Sequence, residues 1–399
     1  DGEPATRLYA TGLTEELLTQ LVPFKELTVL GRETARSIPA RADPAWVGRE
    51  LGVRYMLTGN VRVAGSRVRV TSRLLDTRTA TMLWTQVYEN ELRPEALFAV
   101  QQDIARQVVT AVAQPYGIIF RTDLQRTAEQ QPNDLEAYAC TLRFYTYRAE
   151  FDPQQHGQVR DCLERAVARF PSYATAWAML AFLYLDEDRF GYNRVVSQPA
   201  PLERALTAAR RAVELDPENA RALQASMTVL FFRQDTAEAL RVGERAVALN
   251  PNDTELLAEF GTRIAFAGEW ERGAKLLEEA LARNPAHSGY YSGTLALIDY
   301  MRRDYDRALV EIRRANLEKF GIYHGVAAIV YAQLGLRAEA QAAAARFSGL
   351  FPGFLKNLDA ELAKRNFRAE DRAHMIDGLR KAGLPVPEVG AGTPKPAGS

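Results

Sequence analysis

Four prolines, Pro171, Pro217, Pro251 and Pro285, constrain this chain more than any other residues. Each closes a frame in which an alanine stands five residues earlier, at Ala166, Ala212, Ala246 and Ala280: RAVARFP, RAVELDP, RAVALNP and EALARNP. The last three prolines are 34 residues apart, and the first step is 46. Proline has no amide hydrogen and its ring clashes with the preceding helical turn, so each marks a helix end. A 34-residue period with a helix-ending proline predicts a solenoid of stacked helical hairpins. Such solenoids present binding surfaces and rarely carry catalysis.

At 399 residues, two or more domains are expected. The hydrophobic fraction of 47% and charged fraction of 25% are those of an ordinary globular protein. Fifty basic residues balance 50 acidic ones, which argues against a nucleic-acid partner or an anionic membrane surface. The only cysteines, Cys140 and Cys162, are too few for a disulfide scaffold or a structural zinc site. Placed early in two antiparallel helices, they would sit at opposite ends of one hairpin, so two buried free thiols are expected. No stretch approaches 18 apolar residues, so no membrane span and no signal peptide is expected. The abrupt opening at Asp1-Gly2-Glu3-Pro4 reads as a piece of a longer protein.

The fold class expected is an α+β N-terminal domain, a small mixed sheet with helices, followed by an all-α superhelical solenoid. Residues 1–118 form the first domain. Thr14 to Leu21 reads as a short helix and Leu27 to Leu30 as a short apolar strand. Asp43-Pro44 supplies an N-cap and first-turn proline, and Gly52 a stop, around a helix carrying Trp46, Val47 and Leu51. Tyr55, Leu57, Val61 and Val63 alternate with polar positions, Ala64-Gly65-Ser66 turns, and Val68, Val70, Ser72 and Leu74 alternate again. A third strand follows over Met82 to Glu89, then an amphipathic helix over Glu95 to Val112.

Residues 119–133 read as a linker or helix and 134–351 as the solenoid. A cap of short helices with a polar outer face is expected over 352–385 and a disordered Pro/Gly-rich tail over 386–399. The long first step places a 12-residue insertion between Leu185 and Leu202, containing Asp186, Glu187, Asp188, Phe190, Tyr192 and Pro199-Ala200-Pro201. It reads as a solvated excursion or, alternatively, a binding loop. In the unit near Gly289 to Phe320 the proline slot holds Phe320.

No P-loop, GxGxxG after a strand or GxSxG elbow is present, so no catalytic residue and no cofactor is assigned. The histidines His156, His287, His324 and His374 are scattered without metal-ligand spacing and are expected at the surface or in loops. Two features suggest binding. The first is an arginine stripe, Arg62, Arg67, Arg69 and Arg73, on the outer face of the hairpin, suited to an acidic partner or to protecting a sheet edge. The second is the concave side of the solenoid. Counting the frame from Thr254 puts Phe182, Leu185, Gln224, Thr228, Phe231, Tyr290, Leu297 and Tyr300 on it, with Glu255, Thr262 and Ala265 between. This groove suits an apolar peptide or the protein's own segment, unless partner helices already bury its aromatics.

The repeats resemble tetratricopeptide repeats, best in the units ending at Pro217, Pro251 and Pro285, although the tryptophan slot is filled only by Trp177 and the glycine slot only by Gly261. The front portion resembles the FlgO-like domain related to the TolB amino-terminal domain. Its residues are Tyr9-Ala10-Thr11-Gly12-Leu13-Thr14-Glu15-Glu16-Leu17, Gly48-Arg49-Glu50-Leu51-Gly52-Val53-Arg54-Tyr55 and Leu57-Thr58-Gly59-Asn60-Val61-Arg62. Leu74-Leu75-Asp76, Leu83-Trp84 and Phe98-Ala99-Val100-Gln101-Gln102-Asp103-Ile104-Ala105 follow in order. That family has an apolar strand before the segment matching Gly2-Glu3-Pro4, which this chain lacks. The combination looks like the carboxyl-terminal part of bacterial membrane-linked regulators, whose amino-terminal part is a class III adenylate cyclase or a winged-helix domain.

The resemblance implies a non-catalytic sensor or interaction region that regulates an attached output domain. It implies a protein or peptide partner in the groove, or self-association, and a periplasmic more than a cytoplasmic placement. An envelope-associated assembly adaptor of lipoprotein type is the alternative. A small-molecule receptor, with its ligand between the front domain and the first repeats, is a third.

Overall fold

The structure is a computed structural model. It describes all residues except 1–3, 25, 32–33, 36–37, 40–41, 92–95, 130–135, 194–198, 285–287 and 387–399. Pro285, His287, residues 130–133 of the expected connection and residues 387–399 of the expected tail therefore lie outside the described residues.

The front domain runs α1 (Pro4–Leu21), α2 (Pro44–Leu51), β1 (Tyr55–Ala64), β2 (Arg67–Asp76), β3 (Thr81–Glu91) and α3 (Leu97–Ala113). The sheet expected to be mixed is antiparallel throughout, in the order β1-β2-β3, because a short turn joins each strand to the next. Alternation decides its faces: Val68, Val70, Ser72 and Leu74 are buried while Arg67 and Arg69 stand in solvent. Against the inner face lie α1 and α3, where Tyr9, Leu13, Ile104 and Val108 close a small core with Val68 and Val70. Helix α1 is more than twice the expected length. Tyr9, Leu13 and Leu17 recur every four residues, and that face needs a helix beginning before Thr14.

The α2 boundaries match their signals: the Asp43 carboxylate accepts from the Ala45 amide, and Gly52 adopts φ 66°. Leu27 to Leu30 is not a strand. Leu27 and Val29 instead pack on the Phe24 and Leu74 cluster without entering the ladder.

Helix α4 (Ile118–Glu129) leads into the solenoid. Its hairpins are α5 (Glu136–Glu150) with α6 (Pro153–Arg169), α7 (Ala174–Arg189) with α8 (Pro201–Leu215), and α9 (Ala220–Phe232) with α10 (Thr236–Leu249). Then follow α11 (Thr254–Phe266) with α12 (Trp270–Arg283), α13 (Gly289–Met301) with α14 (Tyr305–Ala315), and α15 (Gly321–Gln333) with α16 (Arg337–Leu350). The repeating alanine has two duties. Its side chain is buried against the partner helix. Its carbonyl also accepts the amide that ends the helix, from Phe170, Asp216, Asn250 and Asn284 to Ala166, Ala212, Ala246 and Ala280 at 2.8–3.1 Å. After Phe170, Asp216 and Asn250 comes proline, which has no donor to leave unsatisfied. Within a hairpin the approach is close: a Cβ on Gly261 would lie 2.6 Å from Leu277 Cδ1.

Cys140 and Cys162 are not free thiols but a buried disulfide, with Cα atoms 5.6 Å apart. Cys140 is the fifth residue of α5, yet Cys162 is the tenth of α6. What pairs residues across an antiparallel hairpin is their distance from the turn. Both cysteines stand eleven residues from Phe151, which places them opposite each other.

The segment after Pro352 packs on the last hairpin and also turns inward. After a turn at Leu355–Asn357 come α17 (Leu358–Ala363) and α18 (Ala369–Lys381), and α18 packs on α15 of the last hairpin and on α13. Leu362, Phe367, Met375, Ile376 and Leu379 enter the main core. This segment carries an apolar face, and the inward side of the hairpins offers apolar surface that would otherwise meet water.

The disulfide spans 22 residues, so replacing Cys140 and Cys162 by serine is expected to cost about 3 kcal/mol. Urea unfolding followed by far-ultraviolet circular dichroism checks this, and an unmoved midpoint would refute it.

Candidate functional site

The groove residues are all buried. Phe182 and Leu185 lie on α7, Gln224, Thr228 and Phe231 on α9, and Tyr290, Leu297 and Tyr300 on α13. Glu255 and Thr262 on α11 are buried with them. They divide among three neighbourhoods along the superhelix axis.

The first neighbourhood is the contact with the front domain. Arg221, one turn before Gln224, donates to Glu26 at 2.9 Å and also reaches Asp253 and Gln224. The Gln114 side chain accepts from the amide and hydroxyl of Thr254, both at 3.0 Å, capping α11 from the front domain. Asp123 on α4 clasps the two parts together. It accepts from Tyr55 of the sheet at 2.5 Å and from Tyr138 of the first hairpin at 2.8 Å.

The second neighbourhood is the axis itself. Phe151, just after α5, stacks on Tyr290 and Phe320 with ring centroids 4.7 and 4.9 Å apart. Ser288 donates to the Arg148 carbonyl at 3.0 Å. The first hairpin thus meets the fifth across the axis, and the groove closes on itself. Inside lies a chain of charges. Arg148 pairs with Glu259 at 3.2 Å, and Tyr291 donates to Glu255 at 2.8 Å and to Glu259 at 3.1 Å. Arg263 pairs with Glu259 at 3.2 Å, and Arg189 with Asp186 at 2.6 Å. Burial pushes the Glu259 carboxyl up, but Arg263, Arg148 and Arg189 outweigh it and hold it below the usual carboxylate range. Burial dominates at Glu255, which is pushed up.

The third neighbourhood is the C-terminal segment. Asn366 donates to the Phe231 carbonyl at 2.8 Å, and Gln234 donates to the Lys364 carbonyl at 3.0 Å. Arg365 donates to the Arg189 carbonyl at 2.9 Å. Phe367 lies between Phe266 and Trp270, and Trp270 donates to Asp371 at 3.0 Å. Tyr300 stacks on His374 at 4.6 Å. Of the openings considered from sequence, an apolar peptide or the protein's own segment, the groove here holds the protein's own.

The expected insertion is shorter than its spacing implies. Helix α7 runs on to Arg189, and Asp186, Glu187 and Arg189 are buried. Glu187 takes Arg160 at 2.8 Å and also Arg204. Tyr147 donates to Asp186 at 2.6 Å. Tyr192 donates to the Phe151 carbonyl at 3.1 Å and Phe190 is buried, while Gly191, Asn193, Pro199 and Ala200 are exposed, so the described part of the loop is anchored at its start and solvated beyond. His156 and His324, expected at the surface, are buried. Their Nε2 atoms lie 2.9 and 2.8 Å from the carbonyls of Leu183 and Glu318. Each ring sits on a helix packed between neighbours, where its body fills apolar space and one nitrogen finds a carbonyl.

The arginine stripe does stand on the outer sheet face. Arg62, Arg67 and Arg69 are exposed and Arg73 is half-buried. Arg62 lies opposite Arg69 in the register and Arg67 opposite Glu91, while Arg69 pairs with Glu89 at 3.2 Å. Exposed pairs of this kind contribute well under about 1 kcal/mol. An open cleft of about 920 Å³ lies beside the inner face. Trp84, Tyr88 and Arg121 line it on one side, Glu279 and Arg283 of α12 on the other, so it meets the fourth hairpin rather than the first.

The residues missed from sequence are Arg148, Arg189, Arg263 and Arg365, all buried. Glu259 and Arg263 stand four apart on α11, a spacing that reads as a solvated surface pair. Their neighbours Phe260, Ile264 and Phe266 are the only local hint that no face of α11 is wet.

No family model matches the chain. A putative adenylate cyclase 3 of Rhizobium meliloti (strain 1021) is 30% identical over 216 residues, covering 54% of this chain and 36% of that protein. The chain therefore spans about a third of the length of the curated relative it matches. Among solved structures, Pseudomonas aeruginosa pilF is 18% identical with a TM-score of 0.36, covering 57% of this chain and 99% of its own. PilW, a type IV pilus biogenesis factor, is 18% identical with a TM-score of 0.38, covering 55% and 96%. Human IFIT1 bound to m7Gppp-AAAA is 14% identical with a TM-score of 0.47, covering 71% and 65%. These likenesses are too distant to carry a functional argument. The element order itself is that of an α+β domain followed by a tetratricopeptide-like solenoid.

Removing the Phe367 ring should cost about 3–5 kcal/mol locally and release α17 and α18. Hydrogen exchange on Phe367→Ala checks this, with protection lost over 355–386 and kept in α9 to α12. His156 is pushed below its ordinary value by burial, with Asp186 opposing. The unfolded chain takes up a proton near pH 6.5 while the buried ring stays neutral. Stability should therefore fall as pH drops below about 6.5. His156→Gln should flatten that slope in urea titrations run between pH 7 and 5, and an unchanged slope would refute the assignment.

Proposed function

We propose that this chain is a non-catalytic interaction and regulatory region that acts on an output domain of adenylate cyclase type. Its docking groove is held shut by its own C-terminal segment. The observation that carries the reading is the seat of that segment. Asn366 bonds a groove carbonyl directly, the Lys364 carbonyl accepts from Gln234, and Phe367 fills an aromatic pocket. The segment docks as two short helices and the turn between them, as an amphipathic helix lies in an apolar groove, here within one chain. A groove filled in this way is a two-state element, shut or open, and a partner segment that competes for it shifts the balance. The likeness to part of a putative adenylate cyclase supports a link to cyclic-nucleotide signalling. The resemblance of the front domain to FlgO-like and TolB amino-terminal domains supports a sensory or envelope role.

Phe231, Tyr290 and Leu297 are lining for the segment on this reading, not a free surface. Phe231→Glu would replace a fully buried ring by a smaller, charged side chain and disrupt the fold rather than report on a partner. The test is a cyclase assay on the polypeptide that carries this region together with its output domain. Asn366→Ala with Phe367→Ala should change the rate of cyclic AMP formation several-fold at equal protein level. An identical rate in the two proteins would sink the proposal.

One observation supports an envelope placement, which the regulatory reading shares with the envelope adaptor. The buried Cys140–Cys162 disulfide is the chemistry of an oxidising compartment. Export to the periplasm would serve an adaptor and the sensory half of a membrane-linked regulator alike. Thiol labelling of the protein in intact cells decides the compartment, because a reduced pair in the native location would count against both envelope readings.

A further inference from the structure

Beneath the C-terminal segment the axis holds a cavity of about 90 Å³. Its wall is largely apolar, with Phe232, Phe266, Leu297, Phe320, Val326 and Ile329 among its lining residues. Three guanidiniums also line it, from Arg189, Arg263 and Arg365. Arg263 is the unusual one. It is 0% exposed, and none of its three side-chain nitrogens makes a hydrogen bond. Glu259 Oε1 forms an ion pair with its Nη2 at 3.2 Å without hydrogen-bonding geometry, while the other oxygen, Oε2, takes Arg148 and Tyr291. The other faces of its guanidinium meet the rings of Phe231, Phe232 and Phe266 at 5.0–5.4 Å, which stack on the cation but offer no oxygen. Beside it, Arg189 Nη2 is also without a partner.

A buried guanidinium with five unanswered N–H donors is costly, so an acceptor is expected there. Water would serve the donors but would add no negative charge beyond the Glu259 that Arg263 shares with Arg148, and would wet an apolar wall. An oxyanion with a short hydrocarbon stub satisfies both: two oxygens for the planar fork of Arg263, with Arg189 beside it, and methyl or methylene groups for the phenylalanines. A dry cavity of roughly 150 Å³ takes a six-carbon ring, so 90 Å³ takes about four non-hydrogen atoms. We infer that this cavity binds a short-chain carboxylate of two or three carbons, of the acetate or propionate class, between Arg263 and the aromatic wall. The inference goes beyond the regulatory reading and does not depend on it.

The site has a consequence for the C-terminal segment. Arg365, Leu362, Phe367 and Leu379 form part of the cavity wall, so a bound ligand and the seated segment share side chains. An occupied cavity holds the segment down, which couples carboxylate concentration to groove closure.

The test is thermal unfolding of the full chain, with acetate, propionate, butyrate and hexanoate as probes at matched ionic strength, and chloride, phosphate and sulfate as controls. Acetate or propionate should raise the melting temperature saturably, by about 3 °C or more at a hundred-fold excess over Kd, with the effect lost at hexanoate. Hydrogen exchange in α17 and α18 should slow in the same titration. Val326→Phe, which fills the cavity without touching the arginines, should abolish the response, as should Arg263→Met. Should Arg263→Met fail to fold, the chain-length series and Val326→Phe decide. A flat response to every carboxylate would overturn the proposal and leave water as the acceptor. Equal stabilisation by chloride, phosphate or sulfate would overturn it too, as an effect of anions in general.

Discussion

Arg148 on the first hairpin reaches Glu259 on the fourth, and the rest of the interior is arranged around that crossing. Both groups are removed from water, so neither tolerates loss of the other: an isolated buried partner is penalised by about 3–5 kcal/mol. The pair spans 111 residues of sequence and lies across the axis, not along a helix. It fixes how tightly the hairpins coil. With that curvature set, Phe151 meets Tyr290 and Phe320, Ser288 meets the Arg148 carbonyl, and the concave side narrows from a groove to a core.

A core that coils around charges has to satisfy them, and the chain does so unevenly. Asp186 serves Arg189 and Tyr147; Glu259 serves Arg148, Arg263 and Tyr291. Glu259 gives Oε2 to Arg148 and Tyr291 and faces Arg263 with Oε1 at 3.2 Å without hydrogen-bonding geometry, which leaves Arg263 short. The same crowding keeps Glu259 ionised while burial pushes Glu255 toward its protonated form. The C-terminal segment then closes the remaining opening with an aromatic ring, Phe367, and with hydrogen bonds to backbone carbonyls that no adjacent hairpin reaches. Interaction capacity that an open array would offer to a partner is used within the chain.

Much of the local structure was legible beforehand. The strand alternation of Val68, Val70 and Leu74, the Asp43-Pro44 and Gly52 stops of α2, and the alanine–proline frames are short-range signals. Each is decided by the geometry of a few consecutive residues. The failures share one cause. Cys140 and Cys162 depend on position relative to a turn, His156 and His324 on what packs over their helices, and the strand expected at Leu27 to Leu30 on a ladder partner it does not find. The cap expected after Pro352 packs on the last hairpin with a polar outer side, but its reach to the Phe231 and Arg189 carbonyls depends on the groove beside it.

The periodicity of alanine and proline by itself determined that this protein is built of stacked hairpins, because helix ends and close helix pairs follow from residues a few positions apart. It also placed apolar side chains such as Phe182, Phe231 and Tyr290 on the inward side, though not the arginines buried among them. What they meet there was decided only by tertiary structure. Curvature depends on pairs such as Arg148 with Glu259, whose spacing along the chain carries no signal, and on the return of a segment more than a hundred residues from the carbonyls it caps. Whether an inward residue lines an open groove or a sealed core is a property of that closure, and no stretch of sequence contains it.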